Sequence, residues 1–470
     1  MGVPDWVQDS VFYQIFPDRF ANGDPTNDPL NVQNWGEKPT VWDFQGGDLQ
    51  GVLQHLDYLA DLGVNAIYFN PIFQATSNHR YNTSDYYNID PKLGSLEDFH
   101  VLRDEIHRNG MRLILDGVFN HCGRGFFAFV DVMENQEHSP YRDWFHIKRF
   151  PLNAYKPGDA RNYLGWYKLK SLPKFNTHNP HVRKYIFNVA RYWIDQGIDG
   201  WRLDVPNEIN DDVFWAEFRE VVKQGNPEAY LLGEIWKIGP RWIGPDYFDG
   251  LMNYPLRDAL IGLISTKTIS AKDFIEGVGS MVNAYPKENT HAHYLPLGSH
   301  DTPRLATVLK GDQRKLRLLY LILFCFPGAP ALFYGDEIGL RGGKDPDCRR
   351  AFPWDEGKWD HDLRNYIQQL IALRRETEAL RRGDITFIPC DTTGVVAMAR
   401  TLPHTNTLLV FNTTDASLDF RIPVEGLDWP ESQPIDDLLT KEAHIVSDGC
   451  IGLHLPPYQG ILLGKRMAGR

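Results

Sequence analysis

The sequence has few cysteines, no apolar run of membrane length and no excess of basic residues. Its five cysteines are widely spaced and form no Cys-x-x-Cys pair, which argues against a disulfide framework, a cysteine zinc site or a dithiol redox site. The longest apolar run, LRLLYLILFCF at 316–326, is too short to cross a bilayer. We therefore expect free thiols and assign this run to a buried core.

Acidic residues outnumber basic ones, with 61 Asp and Glu against 49 Lys and Arg and a formal charge of −12. Such a charge repels a phosphate backbone, which excludes nucleic acid as a partner. The first ten residues, MGVPDWVQDS, lack the cationic start and apolar run of a secretion signal. We expect a cytoplasmic protein with no membrane attachment.

The chain contains enough apolar material for a large folded protein. Of its 470 residues, 42% are hydrophobic and 13% are aromatic, and 40 glycines and 31 prolines provide for many ordered turns. A chain of this length usually exceeds one compact core, although barrel folds can fill one large domain. The composition predicts two or three domains and excludes disorder as the dominant state.

Short apolar strands alternate with amphipathic helices from residue 10 onward. The segment SLEDFHVLRDEIHRNG begins with Ser95 three residues before Asp98, which is a capping-box pattern, and a buried strand, MRLILD, follows it. The segment NPHVRKYIFNVARYWIDQG, capped by Asn179, precedes the strand IDGWRLD in the same way. A third helix is predicted over GDLQGVLQHLDYLADLGV, with Gly63 in a left-handed conformation at its end.

Repeated strand, helix and parallel strand units predict an α/β fold, a (β/α)8 TIM barrel formed by residues 1–121 and 178–384. Residues 122–177 show loops and no clean helical period, so we expect a small inserted domain after strand three. After residue 384 the pattern changes to alternation and turns, which predicts a C-terminal antiparallel β-sandwich of residues 385–470. The eight barrel strands are predicted in VFYQIFP, AIYFNP, MRLILD, IDGWRLD, AYLLGEIW, DYFDGLMN, HYLPLGSHD and APALFYGDE.

Polar residues collect at the carboxyl ends of these strands, where a barrel brings them to one mouth. A strand period of two places Arg202 and Asp204 on one face, and the guanidinium favours the ionised form of Asp204. Glycoside hydrolysis needs one protonated and one ionised carboxyl group flanking the scissile bond. Glu234 is the natural acid, because nearby Asp204 and Asp301 disfavour a third charge.

Four segments resemble the signature segments of the α-amylase family of glycoside hydrolases, in order and on the predicted strands. They are DGVFNH at 116–121, GWRLDVPNE at 200–208, GEIW at 233–236 and LGSHDTPR at 297–304. The resemblance implies Asp204 as nucleophile, Glu234 as general acid and base, and Asp301 as a third carboxylate that holds sugar hydroxyls. It also implies that Arg202 orients Asp204. Asp116 is interpreted as a structural anchor for Arg202.

The resemblance further implies the residues that bind substrate. His121 and His300 would donate hydrogen bonds to the sugar in the cleaved subsite, and His79 and Tyr81 would bind there too, with Tyr81 as a stacking platform. Plain packing is the alternative interpretation of Tyr81.

Further substrate contacts are implied on both sides of the scissile bond. Asp345 and Arg349 would contact sugars towards the non-reducing end. Trp236 would stack on the leaving side, unless it serves packing alone, and Asn207 and Glu208 would shape the acceptor side.

Within the family, the segments GWRLDVPNE, SLPKFN and GGKDPDCRRAFPW are most similar to neopullulanase, cyclomaltodextrinase and maltogenic amylase. Pro206 departs from the VANE sequence usual there, beside the predicted acceptor-side residues. Those enzymes commonly carry an extra N-terminal domain that helps them to dimerise. We expect that domain to be absent here, because strand one begins near Val11, and the oligomeric state is left open.

A structural calcium loop is also implied by the resemblance to cyclodextrin-forming and maltogenic members. The segments FANGDPTNDP and FQGGDLQG offer hard oxygen donors at short spacing, although not at the spacing of an EF-hand. An ordinary turn rich in Asn and Asp is the alternative. The implied ligands are Asn22, Asp24, Asn27, Asp28, the Gly46 carbonyl and Asp48.

We therefore expect a retaining α-glycosidase acting on α-1,4 bonds of maltooligosaccharides, cyclomaltodextrins, pullulan or starch, with possible transglycosylation. A glucosyltransferase or sugar isomerase of the same family is the alternative enzyme. A non-catalytic carbohydrate-binding barrel is a second alternative, although its known members lack the carboxylates present here. Metal-dependent hydrolysis by His121, His300 and the aspartates is a third.

Overall fold

The computed structural model describes residues 2–465, so the predicted domain limits at residues 1 and 470 lie outside the described residues. Strands and helices are numbered in chain order. The strands are β1 (Phe12–Ile15), β2 (Ala66–Phe69), β3 (Phe73–Ala75), β4 (Thr83–Ile89), β5 (Arg112–Gly117), β6 (Gly200–Leu203), β7 (Tyr230–Gly233), β8 (Gly250–Leu251), β9 (Tyr294–Pro296), β10 (Ala329–Phe333), β11 (Asp384–Ile388), β12 (Val395–Leu402), β13 (Thr405–Asn412), β14 (Leu418–Pro423), β15 (Pro434–Asp437), β16 (Ala443–Ser447), β17 (Cys450–Leu455) and β18 (Gly460–Gly464).

Fourteen α-helices lie within the same described range. They are α1 (Pro17–Phe20), α2 (Leu49–Gln54), α3 (Leu56–Leu62), α4 (Leu96–Arg108), α5 (Phe127–Asn135), α6 (Pro180–Asp195), α7 (Asp212–Gly225), α8 (Tyr254–Ile261), α9 (Ala271–Asn283), α10 (Lys287–His291), α11 (Leu305–Val308), α12 (Gln313–Cys325), α13 (His361–Glu376) and α14 (Glu378–Arg382).

Eight parallel strands form the central sheet, in the order β8-β7-β6-β5-β2-β1-β10-β9. A parallel bridge between Met252, just after β8, and Tyr294 in β9 joins the two edges. The sheet is thereby closed into the predicted barrel, and each predicted strand segment supplies one of its strands.

Alternate residues of each strand point into the barrel or towards the surrounding helices. Phe12, Tyr68, Ile114 and Leu232 share one buried cluster with small alanines, whereas their chain neighbours pack in the outer cluster with the helices. Large aromatic rings opposite alanines fill the interior, so the barrel has a packed core. The same alternation places polar side chains inside the barrel at the carboxyl ends of the strands.

The predicted helix ends are largely confirmed. Ser95 and Asp98 form a reciprocal capping box on α4, the Asn179 side chain accepts from His181 N on α6, and Gly63 has φ +92° at the end of α3. One difference is that GDLQGVLQHLDYLADLGV forms two helices. His55, between α2 and α3, has φ −116° and ψ +17° and interrupts the helix.

The run at 316–326 lies mostly in α12 and is buried, as expected for core. Across residues 2–465, the structure contains no helix that combines the length and the apolar character needed to cross a membrane. The five cysteines are all free.

The segment between His121 and His178 contains a helix that the sequence pattern did not reveal. α5 buries Ala128, Phe129 and Val132, but the apolar Phe127 beside them is 46% exposed, so no apolar stripe stands out. The expectation of loops alone in this segment was therefore wrong. The division at 122–177 itself stays a prediction.

The C-terminal strands form an antiparallel sheet in the order β11-β12-β13-β18-β15-β16-β17-β14. Apolar residues of β12 and β13 share one buried cluster with those of β14 and β17, at the far end of the strand order. The sheet therefore folds over its own core, separate from the barrel core. The predicted division at 384 falls on the first residue of β11, and the division into domains stays a prediction.

Candidate active site

One cavity of about 490 Å³ opens at the carboxyl ends of the barrel strands, a volume suited to a small ligand. Twelve of the thirteen residues predicted for catalysis or substrate binding line it, and the remaining one, Arg202, is fully buried beside them. The lining residues among those predicted are His79, Tyr81, His121, Asp204, Asn207, Glu208, Glu234, Trp236, His300, Asp301, Asp345 and Arg349.

Arg202 connects three carboxylates at the base of the cavity. Its Nη1 donates to Asp116 Oδ1 at 2.8 Å and to Asp204 Oδ1 at 3.0 Å, and its Nη2 lies 2.9 Å from Glu234 Oε1. The predicted contacts of Arg202 with Asp204 and with Asp116 are both present. A single guanidinium therefore spans Asp204 and Glu234, which fixes the two carboxyl groups relative to each other.

Burial and the adjacent Glu234 raise the pKa of Asp204, whereas Arg202 lowers it. Burial also raises the pKa of Glu234, against the effect of Arg202. The expectation that Arg202 keeps Asp204 ionised did not include these opposing effects of burial and Glu234. Because these two groups interact, they titrate as a pair and favour the binding of one shared proton. An ionised Asp204 with a protonated Glu234 is one of the two arrangements of that proton.

Glu234 follows β7, and hydrogen-bond donors surround its carboxyl group. Val205 N donates to Oε2 at 2.9 Å, and Trp236 Nε1 donates to Oε1 at 3.2 Å. Val205 has φ +36° and ψ +51°, a left-handed conformation that is strained for a β-branched residue. Pro206, the departure noted in the sequence, begins the short turn after it. This turn aims the Val205 amide at Glu234.

Asp301 is the third carboxylate, and cationic or polar partners surround it. His300 Nε2 lies 3.0 Å from its Oδ2, and Arg349 Nη2 donates to its Oδ1 at 3.3 Å. The Asp301 side chain is 34% exposed, and desolvation in the cavity raises its pKa, but His300 and Arg349 outweigh this effect and lower the pKa. Arg349 Nη1 also pairs with Asp345 Oδ1 at 3.1 Å. Arg349 thus links Asp345 to Asp301, and Asp301 remains ionised.

The cavity wall beside Asp301 is built from stacked rings. Tyr81 stacks on His300 with planes 8° apart, and His79 stacks on Tyr81 at 5.9 Å. Gln14 Nε2 donates to His300 Nδ1 at 2.8 Å, which leaves Nε2 to carry the proton of the neutral ring. His121 stacks on Trp166 at 5.1 Å. These contacts fix the rings of the predicted sugar-binding residues against neighbouring rings.

Buried histidines in this wall are expected to stay neutral throughout the physiological pH range. Burial lowers the pKa of both His121 and His300 to about 3. Imidazole signals of these residues should therefore not titrate between pH 5 and 8 in NMR spectra. Because the unfolded residues bind protons near pH 6.5, their contribution to the free energy of unfolding is lost as pH falls below that value. A signal that shifts in this range and is missing from His300→Asn would contradict the expectation.

On the opposite wall, Glu208 and Asn207 lie in the short turn Pro206–Glu208. Lys174, from the segment SLPKFN, lies 3.0 Å from Glu208 Oε2. This ion pair connects the turn after β6 to the segment between β5 and α6. The predicted acceptor side is therefore made from two distant parts of the sequence.

Five lining residues were not predicted from the sequence: Trp166, Tyr167, Leu169, Leu172 and Val205. The first three precede SLPKFN, Leu172 lies within it, and Val205 directly follows Asp204. Tyr167 is 80% exposed with φ +50°. The run LGWYKL, with two adjacent aromatic residues in an otherwise polar loop, was the available signal. Nothing in a local pattern shows that this loop folds over the barrel mouth.

The six residues of the predicted calcium loop meet at one place outside the cavity. Asp48 accepts from Gly23 N at 3.1 Å and Asp24 N at 2.8 Å, and the Asn22 amide donates to Asp28 at 3.0 Å. Among residues 2–465, no group of three or more His, Cys, Asp or Glu side chains converges as a metal site would require. Any cation held here would depend on amide and main-chain oxygens as well as carboxylates.

Comparisons with known proteins agree with this geometry. The family model of the α-amylase catalytic domain matches residues 14–382. A cyclomaltodextrinase from Geobacillus thermopakistaniensis is 45% identical over 98% of this chain and 77% of its own, and an intracellular maltogenic amylase from Bacillus subtilis is 43% identical over 87% and 69%. The chain belongs to the α-amylase family of glycoside hydrolases.

A solved structure of similar length resembles the whole chain. It is the cyclic α-maltosyl-(1→6)-maltose hydrolase from Arthrobacter globiformis in complex with cyclic α-maltosyl-(1→6)-maltose. The TM-score is 0.89 at 39% identity, with 99% of this chain and 100% of that chain covered. The likeness therefore extends beyond the barrel to the C-terminal sheet.

Proposed function

We propose that this protein is a retaining α-glycosidase that hydrolyses α-1,4-glucosidic bonds of maltooligosaccharides, cyclomaltodextrins, pullulan or starch. The observation that carries the proposal is the Arg202 guanidinium spanning Asp204 and Glu234 in the cavity wall. Retaining hydrolysis needs a nucleophile and an acid held together on one sugar ring. The similar proteins, a cyclomaltodextrinase, a maltogenic amylase and a cyclic α-maltosyl-(1→6)-maltose hydrolase, support the same substrate class.

In the proposed reaction, ionised Asp204 attacks the anomeric carbon while Glu234 gives its proton to the departing glycosidic oxygen. The carbon–oxygen bond breaks, and a β-linked glycosyl ester forms on Asp204. Glu234, now ionised, removes a proton from water, which attacks the same carbon and releases Asp204. Both displacements invert the anomeric carbon, so the product keeps the α configuration.

The remaining predicted residues hold the sugars in place. Ionised Asp301 and the neutral His300 ring suit hydrogen bonding to the hydroxyls of the sugar at Asp204, whereas both ring nitrogens of His121 already contact Asn120 and the Tyr81 carbonyl. Asp345 and Arg349 extend the same wall towards the non-reducing end. Trp236 is 43% exposed, and its open face is available for a sugar on the leaving side.

The proposal is tested by product analysis at equal enzyme concentration on cyclomaltodextrin, pullulan, starch and maltotriose. We expect hydrolysis of α-1,4 bonds, with the α anomer formed first in NMR spectra recorded before mutarotation. A first-formed β anomer would contradict the retaining mechanism. Absence of hydrolysis on all four sugars, with binding retained, would favour a carbohydrate-binding barrel.

Transfer reactions are distinguished in the same assay. Added glucose or maltose as acceptor increases longer or branched products when the glycosyl ester on Asp204 is captured by sugar instead of water. We expect water to dominate without added acceptor, with transfer as a minor reaction. Products that form only with an acceptor would support a glucosyltransferase, and a rearranged disaccharide would support an isomerase.

We also propose that the loop around Asp48 binds a structural calcium ion. The Oδ1 atoms of Asn22 and Asn27 are buried without a hydrogen-bond partner, as expected for oxygens that face a cation. Burial and the charges of Asp48 and Asp24 raise the pKa of Asp28, with no basic side chain among residues 2–465 that offsets them. A hard divalent cation would supply this missing charge, with the Gly46 carbonyl as a further oxygen ligand.

Removal of calcium by a chelator is expected to lower the melting temperature while leaving the chemistry intact at low temperature. Calcium at about 100 times its Kd would stabilise the folded chain by about 2.7 kcal/mol. The measurement is thermal unfolding with chelator and with calcium restored. Immediate loss of turnover at low temperature, without unfolding, would instead favour metal-dependent hydrolysis.

Gly46→Ala provides a local test of the same loop. Gly46 has φ +83°, and a Cβ there would lie 2.2 Å from Asp28 Oδ1, so the substitution should abolish the calcium-dependent rise in melting temperature. Gly36→Ala is the matched control, because Gly36 has φ +87° with nothing within 4 Å of its Cβ position. A calcium response retained in Gly46→Ala would contradict the proposed site.

The cytoplasm is the proposed location. The relative from Bacillus subtilis is named an intracellular enzyme, and unpaired cysteines suit a reducing compartment. Fractionation of the source cells, with the activity assayed in each fraction, tests this proposal.

A further inference from the structure

Tyr254 lies directly behind the cavity wall and does not itself line the cavity. It is the first residue of α8 and is fully buried. Its ring stacks on Trp236 with a centroid distance of 3.8 Å and planes 4° apart. Because Trp236 lines the cavity, its other face points towards substrate, and Tyr254 supports it from the rear.

The Trp236 ring also reaches Glu234 through its edge. Trp236 Nε1 donates to Glu234 Oε1 at 3.2 Å, on the oxygen that also pairs with Arg202. The direction of an indole N–H is set by the plane of the ring, because the nitrogen has no rotatable hydrogen. The near-parallel stack on Tyr254 fixes this plane and therefore fixes where the donor points.

The opposite end of Tyr254 reaches the loop that carries Asp301. Its hydroxyl donates to Ser299 Oγ at 3.1 Å, and Asp301 N donates to the same Oγ at 3.2 Å. Ser299 N in turn donates to Thr302 Oγ1 at 2.9 Å. The main chain at Asp301 is thus held through a hydroxyl that Tyr254 itself holds.

Building on the proposed function, we propose that Tyr254 is a positioning residue that sets Glu234 and Asp301 relative to each other through two separate groups. Its ring holds the Trp236 N–H on Glu234, and its hydroxyl holds the Ser299 turn beneath Asp301. The two groups can be removed independently by substitution, so the two effects are separable.

The effect through Trp236 has a definite sign. Glu234 faces Arg202, Asp204 and Val205 N from β6 and its following turn, Asp116 from β5, Asp301 after β9, and Tyr254 from α8. The carboxylates disfavour its charge and Arg202 favours it. The indole N–H is a further donor to the ionised carboxyl group, so its loss raises the proton affinity of Glu234. The alkaline limb of the kcat/KM profile, where Glu234 loses its proton, then moves to higher pH.

The experiment compares pH profiles of kcat/KM on maltotriose for the full chain and four variants. Trp236→Phe keeps the stacked ring but removes the N–H, and Tyr254→Leu removes the stacking. Both are expected to move the alkaline limb up by about one pH unit, the effect of a hydrogen bond to a charged group. Tyr254→Phe and Ser299→Ala keep the stack, and both should lower kcat/KM by a similar factor with the limb unmoved.

Several outcomes overturn the proposal. The proposal is wrong if the alkaline limb of Trp236→Phe stays at the wild-type pH. It is also wrong if the limb of Tyr254→Phe moves as far as the limb of Trp236→Phe. If Tyr254→Leu does not fold, the comparison of Trp236→Phe with Tyr254→Phe still decides, because both keep an aromatic ring in the stack. Failure of the proposed function is distinguishable, since the wild-type chain would then show no retaining hydrolysis, and that result overturns both proposals.

Discussion

Asp204→Asn is expected to lower kcat on maltooligosaccharides on the order of 10⁴-fold, by analogy with the removal of members of other catalytic groups. The amide cannot form the glycosyl ester, whatever the leaving group. The loss should therefore be equally severe on maltotriose and on maltosyl fluoride, whose departing fluoride needs no proton. Steady-state rates on the two substrates provide the measurement.

Glu234→Gln tests the acid and base role in the same way that Asp204→Asn tests the nucleophile. It should slow maltotriose hydrolysis by about 10²–10⁴-fold, the usual contribution of a general acid. On maltosyl fluoride the ester on Asp204 should form readily and then persist, because the base for water is missing. Intact-protein mass spectrometry would detect this ester. Asp258→Asn, a carboxyl-to-amide change at a side chain 65% exposed, serves as control. If Asp204→Asn accumulated the ester and Glu234→Gln did not, the roles assigned to Asp204 and Glu234 would be reversed.

Arg202→Met is expected to cause the largest loss of stability of any single substitution in the site. Arg202 is fully buried between Asp116, Asp204 and Glu234, so its removal leaves buried carboxylates without their cation. Breaking a buried pair from one side typically costs about 3–5 kcal/mol. Urea unfolding of wild type and variant would measure the loss.

The loss should depend on pH with a definite sign. Without the guanidinium, the folded-state pKa values of these carboxyl groups rise further above their unfolded values. The stability of the variant is then retained below the unfolded pKa and is lost as pH rises through the folded pKa. The difference from wild type should be larger at pH 8 than at pH 5. The double variant Arg202→Met/Asp116→Asn should regain part of the lost stability at pH 8. An equal loss at both pH values would contradict this account.

The parts of the site that could be predicted from the sequence are those on the strands. A period of two and the order of the segments were enough to bring Asp116, Arg202 and Glu234 into contact, because a closed barrel leaves little freedom at the ends of its strands. Residues in register on neighbouring strands, such as Asp116 opposite Arg202, need no knowledge of the loops.

The parts that could not be predicted depend on tertiary context. The Trp166 and Tyr167 side chains reach the cavity only because the loop that carries them folds across the barrel mouth. The left-handed conformation of Val205 runs against its own backbone preference, and the surrounding structure imposes it. The break at His55 is similar, since an apolar stripe continuous from Leu49 to Leu62 gives no local reason for two helices.

The cavity is lined by residues from the barrel strand ends and by residues from a loop, and substitutions are expected to be tolerated better in the loop. Asp204 and Glu234 directly follow the barrel strands β6 and β7, whereas residues 166–172 lie between β5 and α6, outside that sheet. Replacement of residues 166–172 by the corresponding segment of a relative is therefore expected to change which glucans bind, while Asp204 and Glu234 keep their positions. Differences in substrate preference among such enzymes would then be concentrated in a segment outside the barrel sheet.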